Sequence, residues 1–288
     1  MPKPTIAVLG LGAMGLPMAT WLVHSQFAVR GFDVAPGRAE LAAAAGVAIF
    51  ESARQAAGPA DVVLVAVRDR AQLEDLLWGP DGIAGVLRPG AAILLTATIG
   101  IAAVQQAAER LGGAGLELVD APVSGGPVRA GRGDLLMTVG ATDAAWALAE
   151  PAMAALASTL VRIGAAPGDG QKMKTVNQLL CGVHIAAAAE ALALAGRLGL
   201  DKRQVLASFM LGDRGQRMLL AYAPEGAEVR SRLGIFVKDM GIVNAACRAA
   251  QLAAPVAAAA EQLYLLAQAQ RKQGLDDSAV ITVLAPRE

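Results

Sequence analysis

The stretch that decides the fold is IAVLGLGAMGLPMA, Ile6–Ala19. Its four leading apolar residues, Ile6 to Leu9, read as a buried strand that runs straight into Gly10-Leu11-Gly12-Ala13-Met14-Gly15. This is a GxGxxG turn that follows a strand and opens a helix. Gly10 allows the tight turn, Gly12 lets the backbone approach a pyrophosphate, and Gly15 lets the helix pack close to the sheet. An anion there meets a helix N-terminus, where free N–H groups and the dipole favour it. The next strand, Ala28–Asp33, ends in an acid 18 residues past Gly15. An acid so placed accepts hydrogen bonds from the adenosine ribose and repels a 2′-phosphate, so NAD is expected in preference to NADP. Arg38, a turn into the following helix, is the residue able to reverse that preference.

The same region raises a second reading. From Thr5 to Val23 the chain carries 19 uncharged residues preceded by Lys3, the length of a signal peptide or a membrane span. Gly10, Gly12, Gly15 and Pro17 within the run favour a strand, a turn and a buried helix instead. No other stretch is expected to be long and apolar enough to cross a bilayer.

Outward from this turn, short β-rich runs alternate with helical patterns. Strands are expected at Val62–Val67, Ala92–Thr96, Leu116–Asp120, Leu135–Val139 and Thr159–Ile163, and helices at Met14–Ser25, Arg38–Ala45, Ala71–Leu77 and Ala102–Arg110. Val62–Val67 reads VVLVAV, apolar on both faces, as a central parallel strand requires. The alternation implies βαβ units in a Rossmann-type, doubly wound, mostly parallel sheet over residues 1–164. After Ala165-Ala166-Pro167-Gly168 the pattern changes. Gln171–Leu198 is rich in Ala and Leu and would make a helix about 42 Å long, apolar nearly all round and therefore buried among others. Further helices are expected at Lys202–Leu211, Arg214–Ala221, Phe236–Gln251, Val256–Gln270 and Ser278–Leu284, giving an all-helical domain over 165–288.

Composition narrows the function. The 288 residues are 55% hydrophobic and 17% charged, which excludes a disordered chain. Twenty-five basic residues balance twenty-five acidic ones and aromatics are 3%, so neither nucleic acid nor a membrane is an expected partner. Cys181 and Cys247 lie in apolar helical patterns and read as buried thiols of a reducing, cytoplasmic compartment. With two cysteines and two histidines there is little material for a transition-metal site, and none is expected.

Three stretches carry candidate chemistry. Lys174, Asn177 and Gln178 stand at i, i+3 and i+4 near the start of the long helix and share one face. Burial of a lysine there would suit acid/base work, although a solvated helix start reads equally well. Asp120-Ala121-Pro122-Val123-Ser124-Gly125-Gly126-Pro127 follows a strand, and its backbone N–H groups with the Ser124 hydroxyl suit a substrate carboxylate; a loop fixed by glycines is the alternative. Lys238-Asp239 sets a charged pair inside an apolar helical pattern, and a surface lysine reads equally well.

Together these motifs resemble the β-hydroxyacid dehydrogenase family related to 3-hydroxyisobutyrate dehydrogenase. The resemblance covers essentially the whole chain through GLGAMGLPMA (Gly10–Ala19), DAPVSGGPVRAGRGDL (Asp120–Leu135), GDGQKMKTVNQ (Gly168–Gln178) and the Lys238-Asp239 pair. Within the family, NQLLCGVHIAAAAEALAL (Asn177–Leu194), IFVKDMGIV (Ile235–Val243) and DDSAVI (Asp276–Ile281) look most like the L-threonate dehydrogenase branch. The resemblance implies Lys174 as acid/base, Ser124, Gly125 and Gly126 on the substrate carboxylate, and Asn177 and Gln178 orienting the substrate hydroxyls and the lysine. It also implies Thr98 and Lys238 near the nicotinamide half of the cofactor, with Val67, Arg68 and Gln72 along it. The expected substrate is a small hydroxy acid of the L-threonate kind; the alternatives are 3-hydroxyisobutyrate or a short semialdehyde run in reduction. A binding-only chain would need neither Lys174 nor Ser124 nor Gly126, and relatives that reduce imines lack the lysine.

Three departures stand out. Gln178 replaces the second of two asparagines, Ala97-Thr98 replaces Ser-Thr, and Val67-Arg68 replaces Leu-Pro. His184, ten residues beyond Lys174, falls about 80° off its face and reads as a packed helical histidine. The apolar helical half implies a homodimer or homotetramer.

Overall fold

The computed structural model describes residues 3–209 and 228–284. The chain divides into two compact units, Met1–Lys174 and Thr175–Glu288. In the first, the order is β1 (Ile6–Leu9), α1 (Gly15–His24), β2 (Val29–Phe32), α2 (Pro36–Ala44), β3 (Ala48–Ile49), α3 (Ala53–Ala57), β4 (Val62–Val65) and α4 (Arg70–Trp78). Then come β5 (Ala92–Leu95), α5 (Ile101–Gly112), β6 (Glu117–Asp120), β7 (Val123–Ser124), α6 (Gly126–Ala130), β8 (Leu135–Gly140), α7 (Asp143–Leu156) and β9 (Ala157–Gly164).

The strands form one sheet in the order β3-β2-β1-β4-β5-β6-β8-β7, with β9 also paired to β8. Pairing is parallel from β3 to β6; β8 is antiparallel to β6 and β7 and parallel to β9. The Rossmann-type reading holds. β1 lies between β2 and β4, so the strand order reverses there and the glycine turn after β1 sits at the switch point.

Strand period two divides the core. Ile6, Val8, Val62 and Leu64 face α1 and α7, packing with Met18, Leu22, Ala149 and Met153. Ala7, Leu9, Val63 and Val65 face the other layer, with Ala56, Leu73, Leu77, Val104 and Leu111. A strand buried on both faces cannot alternate polar and apolar, which is why β4 reads VVLV.

Four short elements carry too few residues to show a period: β3, β7, α3 and α6. α7 bends the ordinary rule, since Pro151 lies inside it. The stretch after Asp120, for which a loop fixed by glycines is the alternative reading, contains β7 and opens α6.

The second unit holds most of α8 (Asp169–Arg197), then α9 (Lys202–Phe209), α10 (Leu233–Ala249), α11 (Pro255–Ala269), a 3-10 turn at Asp277–Val280 and α12 (Ile281–Leu284). Its core joins Ile185, Ala189, Leu192, Phe236, Met240, Val243 and Tyr264. The Phe236 and Tyr264 rings stack at 5.5 Å, and the buried Tyr264 hydroxyl donates to the Gly182 carbonyl at 2.7 Å. Among the described residues of this unit the only strand-like pairing is the isolated bridge between Arg232 and Asp276. The helix read at Arg214–Ala221 and the end of that read at Lys202–Leu211 lie outside the described residues.

One expectation is corrected. α8 is itself long and apolar enough to cross a membrane, with a mean hydropathy of 1.8 over its most apolar window. Its buried apolar side chains Ile185, Ala186, Ala189 and Leu192 pack into the second core instead. A helix apolar all round is also expected to be buried all round, yet Val176, Leu180 and Leu194 are exposed.

Candidate active site

The glycine turn is built as its spacing demands. Gly10 has φ +92°, and a Cβ on it would stand 2.8 Å from the Ala66 carbonyl oxygen. A Cβ on Gly15 would fall 1.7 Å from the Gly10 carbonyl oxygen, so no side chain fits. Gly12 differs: a Cβ there would meet nothing within 4 Å, so the backbone itself borders open space. The first turn of α1 has no acidic side chain to repel an anion and no side-chain cap in its place; within it the Leu16 and Met18 N–H groups donate to the Gly12 and Met14 carbonyls. Leu11 is buried, Met14 half-buried and Ala13 exposed along this loop. The residues present therefore fit a dinucleotide pyrophosphate.

Asp33 follows β2 and does more than the sequence suggests. Its Oδ2 accepts from the Leu11 N–H at 2.6 Å and its Oδ1 from the Ala35 N–H at 2.8 Å. It thus fastens the glycine turn to the end of β2. Each carboxylate oxygen retains a lone pair, which leaves acceptor capacity for ribose hydroxyls. Beyond β4, Val67 is half-buried, and the Arg68 N–H donates to Gln72 Oε1 at 2.9 Å. Asp69 caps α4 by accepting from the Gln72 N–H at 3.0 Å and pairs with Arg68 Nε at 2.9 Å. The Arg68 side chain is 73% exposed, which places its cation at the surface.

Lys174 closes the first unit. It is 8% exposed, and its Nζ donates to Ser124 Oγ at 2.9 Å. That burial removes the solvated-start reading. Ser124 is fixed by β7, where it pairs with Leu136 of β8. Gly125 and Gly126 follow with φ of +136° and +73°, and a Cβ on Gly126 would meet nothing within 4 Å. A lysine amino group, a hydroxyl and an open left-handed glycine are thus brought together.

Two residues that the sequence reading leaves without a role hold this arrangement. Asp120, at the end of β6, is fully buried, and so is Gln171, three residues before Lys174. Asp120 Oδ2 accepts from the N–H groups of Gly168 and Gln171, both at 2.9 Å, and Oδ1 accepts from Gln171 Nε2 at 3.0 Å. Burial pushes the Asp120 carboxyl above its ordinary value, while the Gln171 amide and the backbone N–H groups of Gln171, Gly168 and Gly170 pull it back down. The signal in the sequence is an acid closing the apolar run ELVD. Thr98, half-buried, lies just before Ile99 and Gly100, whose N–H groups both donate to Gln171 Oε1 at 3.1 Å.

In the second unit, Asn177 Nδ2 donates to Gln178 Oε1 at 3.0 Å, and Gln178 Nε2 donates to Asp239 Oδ2 at 2.5 Å. Lys238 Nζ lies 3.1 Å from Asp239 Oδ1. Asp239, 2% exposed, is therefore the junction of the four, a role the sequence does not reveal. His184 is exposed, against the expectation of a packed residue. Cys181 and Cys247 are free and half-buried.

Comparison with known proteins settles the family. Residues 5–164 match the NAD binding domain of 6-phosphogluconate dehydrogenase, and residues 168–284 match the domain described as NAD-binding of NADP-dependent 3-hydroxyisobutyrate dehydrogenase. The chain belongs to the 3-hydroxyisobutyrate dehydrogenase-related β-hydroxyacid dehydrogenases. It is an NAD(P)-binding oxidoreductase of that family. L-threonate dehydrogenase of Cupriavidus necator is 38% identical over 96% of this chain and 95% of its own. The crystal structure of 3-hydroxyisobutyrate dehydrogenase from Salmonella typhimurium superposes with a TM-score of 0.90 at 33% identity, covering 97% of this chain and 99% of that one. A 3-hydroxyisobutyrate dehydrogenase from Mycobacterium tuberculosis, solved with L-serine, superposes at 0.80 with 29% identity, over 99% of this chain and 100% of its own.

Proposed function

We propose that this hydroxyacid dehydrogenase oxidises a polyhydroxy acid of the L-threonate kind at its C2 carbinol, with NAD as acceptor and Lys174 as general base. The observation that carries the reading is the buried Lys174 Nζ, 2.9 Å from Ser124 Oγ and beside the open Gly126. The relatives named L-threonate dehydrogenase support the choice of substrate. Asp33 supports NAD, because a carboxylate there repels the extra phosphate of NADP.

A nicotinamide dinucleotide held at the glycine turn would supply the hydride acceptor for the carbinol carbon. Ser124 and the turn through Gly125 and Gly126 hold the substrate carboxylate. The neutral Lys174 amine accepts the hydroxyl proton, becomes an ammonium and returns that proton to solvent. Asn177 and Gln178 orient the remaining hydroxyls, with Gln178 held by Asp239. Lys238, which the family resemblance sets toward the nicotinamide, is paired with that carboxylate. In the reductive direction the same ammonium donates. Two free thiols fit a reducing, cytoplasmic setting.

Lys174→Ala tests the mechanism. General acid–base catalysis contributes about 10²–10⁴-fold, so kcat should fall by that factor while NAD binding, followed by fluorescence, is kept. Near-full turnover in this variant would sink the mechanism. A panel of L-threonate, D-erythronate, D-glycerate, 3-hydroxyisobutyrate, 4-hydroxybutyrate and L-serine with NAD and NADP tests the substrate. A preference for 3-hydroxyisobutyrate would replace the substrate assignment; the Salmonella typhimurium structure favours that second reading.

A further inference from the structure

We propose that Gln171, oriented by the buried carboxylate of Asp120, is a positioning residue that sets Lys174 and the Thr98 loop in one fixed relation. The proposal rests on the reading of Lys174 as the acid/base group.

Gln171 has two amide hydrogens and an oxygen with two lone pairs, and all are used. Nε2 donates to Asp120 Oδ1 at 3.0 Å and to the Ala97 carbonyl at 3.0 Å. Oε1 accepts from the N–H groups of Ile99 and Gly100, both at 3.1 Å. An amide flip would turn an NH₂ group onto two N–H donors, so only one orientation is satisfied. The side chain is fully buried, where each lost partner costs most.

Three segments meet at this amide. Ala97, Ile99 and Gly100 flank Thr98 beyond β5. Asp120 closes β6, four residues before Ser124. Gly168 precedes α8 and Gln171 lies in its first turn, with Gln171 and Lys174 at i and i+3 on its surface. The helix start is also pressed against the strand ends: a Cβ on Gly170 would lie 2.5 Å from the Asp120 carbonyl oxygen and 2.6 Å from that of Thr138. The amide therefore links the loop beside Thr98 directly to the first turn that carries the lysine. A shift of about 1 Å between reacting groups costs about 10²-fold in rate, so the reaction is sensitive to this link.

The experiment is a charge exchange. Asp120→Asn places an amide hydrogen against Gln171 Nε2 and breaks the link. Gln171→Glu places a carboxylate against Asp120 and also breaks it. Combined, they restore it. The oxygen of the introduced asparagine still accepts from the two N–H groups of α8, and its amide nitrogen donates to the introduced glutamate. That glutamate in turn accepts from Ile99 and Gly100. Only the donation to Ala97 is lost. Each single variant should lose about 10²-fold in kcat and shift the pH profile of oxidation, and the pair should recover at least about tenfold. In the Lys174→Ala background the Gln171→Glu change should have no further effect on kcat. Singles that keep kcat and the pH profile within about twofold while only the melting temperature falls would overturn the proposal. So would a pair that regains stability without rate. If Asp120→Asn does not fold, Gln171→Met, which removes the link without a new charge, decides by the same two readouts. An active Lys174→Ala enzyme would instead bring down the acid/base reading, so the two failures are distinct.

Discussion

Met1–Lys174 and Thr175–Glu288 treat their helices differently. In the first unit, the start of α8 is pinned by a set of polar contacts around Asp120 in which the Gln171 amide leaves no capacity unused. In the second, the same helix runs on with Val176, Leu180 and Leu194 exposed, and Leu198 exposed just past its end. A buried polar network specifies one geometry because its alternatives are unsatisfied. An apolar face specifies only that something covers it. The first unit thus has the precision a catalytic group needs, and the second leaves apolar side chains of its helix exposed.

The sharpest break of that comparison uses one glycine from each unit. Gly15→Ala drives a Cβ to 1.7 Å from the Gly10 carbonyl, which is backbone at the switch point and cannot yield. Dinucleotide binding should weaken at least about 100-fold by fluorescence titration, an effect of about 3 kcal/mol or more. Gly182→Ala drives its Cβ to 2.2 Å from Met240 Sδ, the end of a flexible side chain. That overpacking should cost about 1–3 kcal/mol in denaturant unfolding and leave cofactor affinity unchanged. Equal losses of cofactor affinity in both would erase the distinction.

A second prediction concerns the exposed face. We propose that a second copy of the chain covers part of it, giving a homodimer or homotetramer. Light scattering should then exceed the 29.3 kDa of one chain, and Leu180→Glu with Leu194→Glu should lower the mass. A 29.3 kDa species for the unaltered protein removes the proposal. A smaller effect belongs to Tyr264→Phe, which removes the 2.7 Å bond to the Gly182 carbonyl while that carbonyl keeps its helical partner inside α8. It should cost about 1–2 kcal/mol in stability, with turnover unchanged.

What the sequence reveals follows the range of the interaction. The turn through Gly10, Gly12 and Gly15 and the strand VVLV are local patterns, and both appear where expected. The Lys174–Ser124 contact spans 50 residues and is reached through family resemblance rather than spacing. Asp120 with Gln171 spans 51 and Gln178 with Asp239 spans 61, and no periodicity connects such pairs. α7 is hidden by Pro151, and β3 and β7 by having two residues each. The exposure of His184 escapes because an alanine-rich helix shows little polar contrast from which to orient it.

The smallest predicted effect separates the units by the sign of a pH slope. In the first, burial raises the Asp120 pKa above 3.8. Between 3.8 and that raised value the folded chain holds a proton that the unfolded chain has released, so this site's contribution to stability falls as pH rises. In the second, burial lowers the Lys272 pKa below 10.5, while its Nζ donates to the Thr282 carbonyl at 2.9 Å. Between the lowered value and 10.5 the folded chain has lost a proton that the unfolded chain keeps, so this contribution rises with pH. Asp120→Asn should therefore flatten the acid side of the stability profile, and Lys272→Met the alkaline side. Lys272 is half-buried where Asp120 is fully buried, so its slope should be the shallower of the two. Slopes of the same sign, read from denaturant midpoints across pH, would show that burial is not what moves these two groups.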